Sequence, residues 1–224
     1  MNKTNIAYVR LVSNAQVVML GENHHYYPEY QDEVVKSLQQ LKQLGYTHFA
    51  MEMLQSDQDV SNSKSSIYNL EDCFSIGHSK IYKQAKSLGF SIIGLDMPLS
   101  KQQTYNTPRR LYKERNYWMV DELLNNLKPN HKVVVFVHHG HALGSTGNLR
   151  VPDEHGMIAL IKRKNISLVY IQIAGGHLGD VCGGRISAIA NEAQKQSTQN
   201  KRFVTTGGLG IDHVIHLSQN CTVK

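Results

Sequence analysis

Two stretches, KVVVFV at 132–137 and SLVYIQIA at 167–174, restrict the fold more than anything else in the chain. A strand with one wet face alternates apolar and polar residues. A strand covered on both faces reads as a nearly continuous apolar run, and that is the pattern here. Shorter Val- and Ile-rich runs at 16–20, 48–53, 91–96 and 213–217 predict four more strands. The intervals carry helical period. From Pro28, Val34, Leu38 and Leu41 recur on one face, and Gly45 supplies a stop. Thr107 and Pro108 form an N-cap and first-turn pair for a long helix ending near Leu127, before Pro129. Further helices are predicted over 80–88 and 153–164. Strand–helix alternation implies βαβ units, hence an α/β fold with a mostly parallel central sheet and helices on both faces. At 224 residues, with no repeat or linker, the chain is expected to form one such domain over 1–224. The polar stretch 55–66 is expected to be a surface loop or lid.

Composition narrows the function classes. No apolar run approaches the ~20 residues of a membrane span, and the N-terminus lacks the apolar core of a Sec signal. The expected location is cytoplasmic, or exported by a signal not legible in these residues. The three cysteines, Cys73, Cys182 and Cys221, have no CxxC spacing, so a reducing compartment is the simpler expectation. The net charge is +6. Its basic residues are dispersed and not interleaved with aromatics, so nucleic acid is not the expected partner.

In an open parallel sheet, ligands bind beyond the carboxyl ends of the strands. Each predicted strand here ends on ionisable residues. The first runs into Gly21, Glu22, Asn23, His24 and His25. The second carries Glu52 and the third ends at Asp96. The fourth continues into His138, His139, Gly140 and His141, and the fifth into AGGHLGD, with His177 and Asp180. On the helix from Pro108, an apolar stripe of Leu111, Trp118 or Met119, and Leu123 includes Arg115. A core-facing arginine is costly unless paired, so Arg115 is expected to meet Glu22, Glu52 or Asp96.

Such a set suits hydrolysis without a covalent intermediate. A neutral histidine beside a carboxylate accepts a proton from water, and a second histidine protonates the leaving group or stabilises developing charge. The same donors suit a divalent metal. The bland reading has Glu22 and His24 capping the next helix, Glu52 as a structural partner of Arg115, and the histidines as loop residues. Cys182 with His177 offers a thiol-nucleophile alternative.

The ordered blocks MLGENHH, AMEML, ERNYWM, FVHHGHALG and GIDHVIHL, from residue 17 to about 217, resemble the erythromycin esterase, ChaN haem-binding and TIKI/TraB superfamily. That group includes the Ras/Rap-cleaving peptidase domain of bacterial multifunctional toxins. The resemblance implies an EreA/ChaN-like fold. Glu22 and His24 would activate water, Glu52 would complete the acidic cluster, and His139 or His141 would be the distal histidine. Asp96, Arg115 and His138 would support them, with His25 and His177 as further candidates. It implies a peptidase-like hydrolase of amide or ester bonds, acting on a protein or small-molecule substrate, with small GTPases as one class. The alternatives are a ChaN-like haem or metal protein and a small-molecule esterase. The hydrolase reading requires no cofactor; a metal reading would use Glu22, His24, Glu52 and His141. A catalytically idle interaction domain would leave these groups far apart.

Overall fold

The computed structural model describes residues 12, 14–22, 28–56, 73–146, 149–150, 153–175, 203–208 and 211–217. In chain order the elements are β1 (Val17–Glu22), α1 (Pro28–Gln43), β2 (His48–Gln55), α2 (Cys73–Ser87), β3 (Ser91–Asp96) and α3 (Leu99–Gln102). There follow α4 (Pro108–Asn126), β4 (Val133–His138), α5 (His139–Leu143), a two-residue hairpin of β5 (Ser145–Thr146) and β6 (Leu149–Arg150), and a 3-10 turn at Asp153–His155. The remainder is α6 (Met157–Lys162), β7 (Leu168–Gly175), β8 (Phe203–Gly208) and β9 (Ile211–Leu217).

The main sheet has the order β3-β2-β4-β1-β7-β9-β8. Six strands run parallel and β8 joins β9 antiparallel at one edge. All six expected strands are present, and the fold is the expected α/β sheet. The edge strand β8 was not among those predicted: FVTTGG has too few apolar residues to stand out as a buried strand.

Alternate residues of each central strand feed two separate cores. Val17 and Met19 of β1, Val133, Val135 and Val137 of β4, and Tyr170 of β7 pack with α4 and α6. Val18, Leu20, Val134, Phe136, Ile171 and Ile173 pack on the other face with α1 and α2. Both faces are therefore covered, which is why KVVVFV carries no polar alternation.

Helix ends follow local chemistry. Thr107 accepts a hydrogen bond from the Arg110 N–H at 3.3 Å to cap α4. Gly45, at φ 85°, lets the chain leave α1, with the Tyr46 N–H returning to the Leu41 carbonyl. The segment expected as one helix over 153–164 divides at Gly156 into the 3-10 turn and α6.

β1 and β4 are neighbours, with Glu22 in register with His138 at their carboxyl ends. The connection after β1 runs through α1 on one face of the sheet, and the connection after β4 runs through α6 on the other. Their junction is a topological switch point, where open α/β sheets bind ligands. No described helix is long and apolar enough to cross a membrane.

Candidate active site

Three strand ends and two helices build a hydrogen-bonded array around Arg115. Its Nε and Nη2 donate to the two carboxylate oxygens of Asp96 at 2.9 and 2.8 Å. Nη2 also reaches Glu52 Oε1 at 3.2 Å, and Nη1 lies 3.3 Å from His141 Nε2. Glu52 Oε2 accepts the His138 backbone N–H at 2.9 Å, and Glu52 Oε1 lies 3.2 Å from His141 Nε2. Asp96 and Glu52 are almost fully buried, at 1% and 6% exposure. The arginine thus meets two of the three carboxylates expected for it, and sits between them.

Glu52 owes its aim to an irregularity in β2. Met51 pairs with Gly94, but Gln55 pairs with Asp96, so β2 carries two extra residues there. Met53, inside this bulge, has φ 67°, a conformation a methionine adopts only when its surroundings impose it. Bulges redirect side chains, and this one begins at Glu52. Gly94 makes it possible: a Cβ there would lie 2.5 Å from the Gln55 carbonyl oxygen.

Gly21 has a different role from the turn its sequence suggests. Strand β1 continues through Glu22, and a Cβ on Gly21 would fall 2.0 Å from the Tyr170 hydroxyl. That hydroxyl donates to Gln172 Oε1 at 2.5 Å, and Gln172 Nε2 donates to the Gly21 and Ile173 carbonyls at 3.2 and 2.8 Å. Burial, with the Glu22 carboxylate nearby, holds Tyr170 protonated far above its ordinary range. This buried network pins the end of β1 beside Glu22, which is itself 1% exposed. Periodicity gave no sign of it, because Tyr170 and Gln172 lie within an apolar strand.

The HHGH segment forms the short helix α5, and this separates its three histidines. His138 caps the helix, its Nδ1 accepting the Gly140 N–H at 3.3 Å. His139 is half-buried and its Nδ1 donates to the Glu22 carbonyl at 3.4 Å. His141 is 3% exposed and faces the array. Its Nδ1 lies 2.5 Å from Asn116 Oδ1, and the Tyr112 ring stacks on it at 4.1 Å.

Burial, then the Arg115 charge, then His139 hold the His141 pKa well below 6.5. The contact with Glu52 pulls the other way, but full burial beside a permanent cation outweighs it, so the resting imidazole is neutral. A depressed folded-state pKa contributes stability that is present above pH 6.5 and lost as the pH falls below it. Between pH 6.5 and 5, the wild type should lose stability faster than His141→Gln. The difference should be up to about 1.4 kcal/mol per pH unit. Urea melts at several pH values measure this, and parallel curves would refute it. Asp96 is shifted up from 3.8 by burial, against the pull of Arg115. Its opposite contribution, stability lost as pH rises, is shared by both proteins and leaves the difference unchanged.

The buried stripe on α4 keeps the expected Met119 and Leu123 but has Tyr112 and Asn116 in place of Leu111 and Arg115. Its buried residues are Tyr112, Asn116, Met119, Val120 and Leu123, while Leu111 is only half-buried. Asn116 and Tyr112 were therefore absent from the expected site. A polar residue within the buried stripe was the signal available for Asn116. His48 stacks on His131 at the opposite end of the sheet, a structural pair.

His24, His25, His177, Asp180, Cys182 and most of the expected lid at 55–66 lie outside the described residues. Among the described residues, no group of three or more His, Cys, Asp and Glu is arranged to hold a metal. Glu52 and His141 turn their facing atoms to the Arg115 cation instead. These two do not fit a metal-donor set.

No family model matches the chain, and no curated protein does. Several solved structures do. The effector domain RRSP of a MARTX toxin from Vibrio vulnificus superposes with a TM-score of 0.52 at 18% identity, over 78% of this chain and 36% of that one. The type III effector HopBA1 gives 0.52 at 14% identity, over 96% and 94%. The C-terminal region of Pasteurella multocida toxin, described as having a thiol-protease-like catalytic triad, gives 0.52 at 15%, over 77% and 25%. The chain spans about a third of the first toxin structures it matches. At these identities the likeness concerns architecture, and the chain has the α/β fold of bacterial toxin effector domains.

Proposed function

We propose that the chain is a hydrolase of amide or ester bonds, peptidase-like in kind, acting as an effector of the toxin type. The observation that carries this reading is the convergence of Glu52, Asp96, Arg115 and His141 into one buried array at the switch point, beside Glu22. Two buried carboxylates and a neutral imidazole held around one guanidinium, with Glu22 buried at the neighbouring strand end, favour a working site over a catalytically idle domain. Their burial is costly unless the arrangement does something.

The chemistry follows from the groups. Water adds through its oxygen to the carbonyl carbon while its proton passes to a carboxylate, Glu22 or Glu52, at the strand ends. The carboxylate passes that proton to a neutral imidazole of α5, and the leaving atom takes it from the resulting imidazolium as the C–N or C–O bond breaks. His139, half-buried, and His141, almost fully buried, are the two carriers. Arg115 offsets the charge of Glu52, and Asp96 fixes the guanidinium in place.

The resemblance of the sequence blocks to those of the Ras/Rap-cleaving peptidases, together with the effector fold, favours small GTPases as the first substrates to try. Incubating the purified chain with a panel of small GTPases, followed by intact-mass analysis, should yield two fragments from at least one. Intact GTPases would remove that substrate class. A parallel panel of peptide and ester substrates left unhydrolysed would overturn the hydrolase reading itself.

A further inference from the structure

We propose that Asn116 is a positioning residue that fixes the tautomer of His141, so that this histidine exchanges its proton only through Nε2. The orientation of the Asn116 amide is set from its far side. Asn116 Nδ2 donates to the His155 backbone carbonyl at 2.9 Å, and a carbonyl can only accept. Oδ1 is therefore the atom turned to His141 Nδ1, at 2.5 Å. An amide oxygen cannot donate, so His141 Nδ1 carries the hydrogen in both protonation states.

Neighbouring residues of α4 hold the rest of the ring. Tyr112, one turn earlier, stacks on its face with an interplanar angle of 22°. Arg115 meets its other edge, with Nη1 3.3 Å from Nε2. These positions, i, i+3 and i+4, lie together on one side of a helix. The imidazole is thus gripped on one face and both edges, and only Nε2 can change its proton. When neutral, Nε2 accepts from Arg115. When protonated, it donates to Glu52 Oε1 at 3.2 Å. A proton arriving at His141 is consequently delivered beside the Glu52 carboxylate and nowhere else.

Asn116 is wholly buried, and asparagine is a poor residue for a helix interior. Leucine would fill the space with better propensity. A merely structural asparagine would join α4 to the 3-10 turn at His155 and leave the imidazole free to choose its tautomer. The catalytic consequence rests on the hydrolase reading above; the tautomer does not, and is read without turnover.

Long-range 1H–15N NMR of the His141 ring in the labelled protein at pH 7.5 is the test. The expected wild-type spectrum has a protonated Nδ1 and an unprotonated Nε2. An Nε2-protonated ring would overturn the proposal before any variant is made. Asn116→Leu should convert the ring to a mixture of tautomers, whereas Asn116→Asp, which keeps an acceptor, should retain the Nδ1 proton. If Asn116→Leu fails to fold, the wild-type and Asp spectra still decide. A ring that keeps its wild-type tautomer in a folded Leu variant would assign Asn116 a structural role alone. Once a substrate is in hand, Asn116→Leu should lower kcat by at least about tenfold with KM little changed.

Discussion

Arg115→Met should cost the fold about 3–5 kcal/mol, the penalty for leaving buried charge without its partner. The substitution keeps most of the apolar stem and removes the guanidinium. Asp96 loses both of its arginine hydrogen bonds and Glu52 loses one. Both carboxylates are then buried with no cation between them, Asp96 keeping the Met97 N–H and Glu52 the His138 N–H. For a chain of this length, such a loss lowers the melting temperature by roughly 10 °C. Asp96 can escape only by taking up a proton, so the variant should be least destabilised in acid. Combining Arg115→Met with Asp96→Asn should recover a substantial part of the loss, because the stranded charge is gone. Arg115→Lys should recover little, since a lysine cannot present the paired donors that Asp96 engages. Thermal melts and urea titrations measure all of this. A melting temperature within about a degree of wild type for Arg115→Met would refute the claim that this ion cluster is a structural necessity.

Glu52→Gln should lower the rate of hydrolysis about 100- to 10,000-fold, the range for removal of a positioned acid–base group. The side chain keeps its size but loses its charge and cannot serve both of its donors. One carboxylate oxygen accepts from Arg115 and the other from the His138 N–H, so an amide must turn its NH2 toward one of them. The fold should lose about 1–3 kcal/mol in consequence. At a normal native stability of about 5–15 kcal/mol, most of the protein stays folded. Circular dichroism on the assayed sample separates the two effects: the rate should fall far more than the folded fraction. A variant that keeps wild-type turnover would place the chemistry elsewhere on the sheet end, and Glu52 would then be a structural partner of Arg115 alone.

The two effects are distinct because Glu52 belongs to two circuits. Toward Arg115 it is half of an ion cluster that anchors α4 to the sheet. Toward His141 it is the carboxylate beside the exchangeable proton. Asp96 shares the first circuit but not the second. Asp96→Asn should therefore change stability and its pH dependence more than it changes the chemistry.

Some of this arrangement is legible in the order of residues. KVVVFV and SLVYIQIA specify buried parallel strands because both faces of each must be covered, and the two cores use alternate residues of the same runs. An arginine on the apolar side of a helix demands a buried anion, which is why the pairing of Arg115 could be foreseen from spacing and cost alone. Thr107-Pro108 and Gly45 marked helix ends through backbone chemistry that acts within a few residues.

The site itself needed contacts between distant residues. Leu111 is more apolar than Tyr112, so the expected stripe of α4 began one position early and passed over Asn116, while Met119 and Leu123 lie where it put them. HHGH reads as the end of a strand, yet it forms a single helical turn. That turn places His139 near the Glu22 carbonyl and His141 inward against Arg115. Glu52 is aimed by a bulge that depends on Gly94, a residue about forty positions away on the neighbouring strand. Gly21 looks like a turn residue, and its real constraint is the Tyr170 hydroxyl, about 150 positions further on. Local periodicity and capping determine which segments become strands and helices, because those choices depend on neighbours within one or two turns. Which nitrogen faces which oxygen is settled by packing across the sheet, where groups remote along the chain exclude, orient and charge one another.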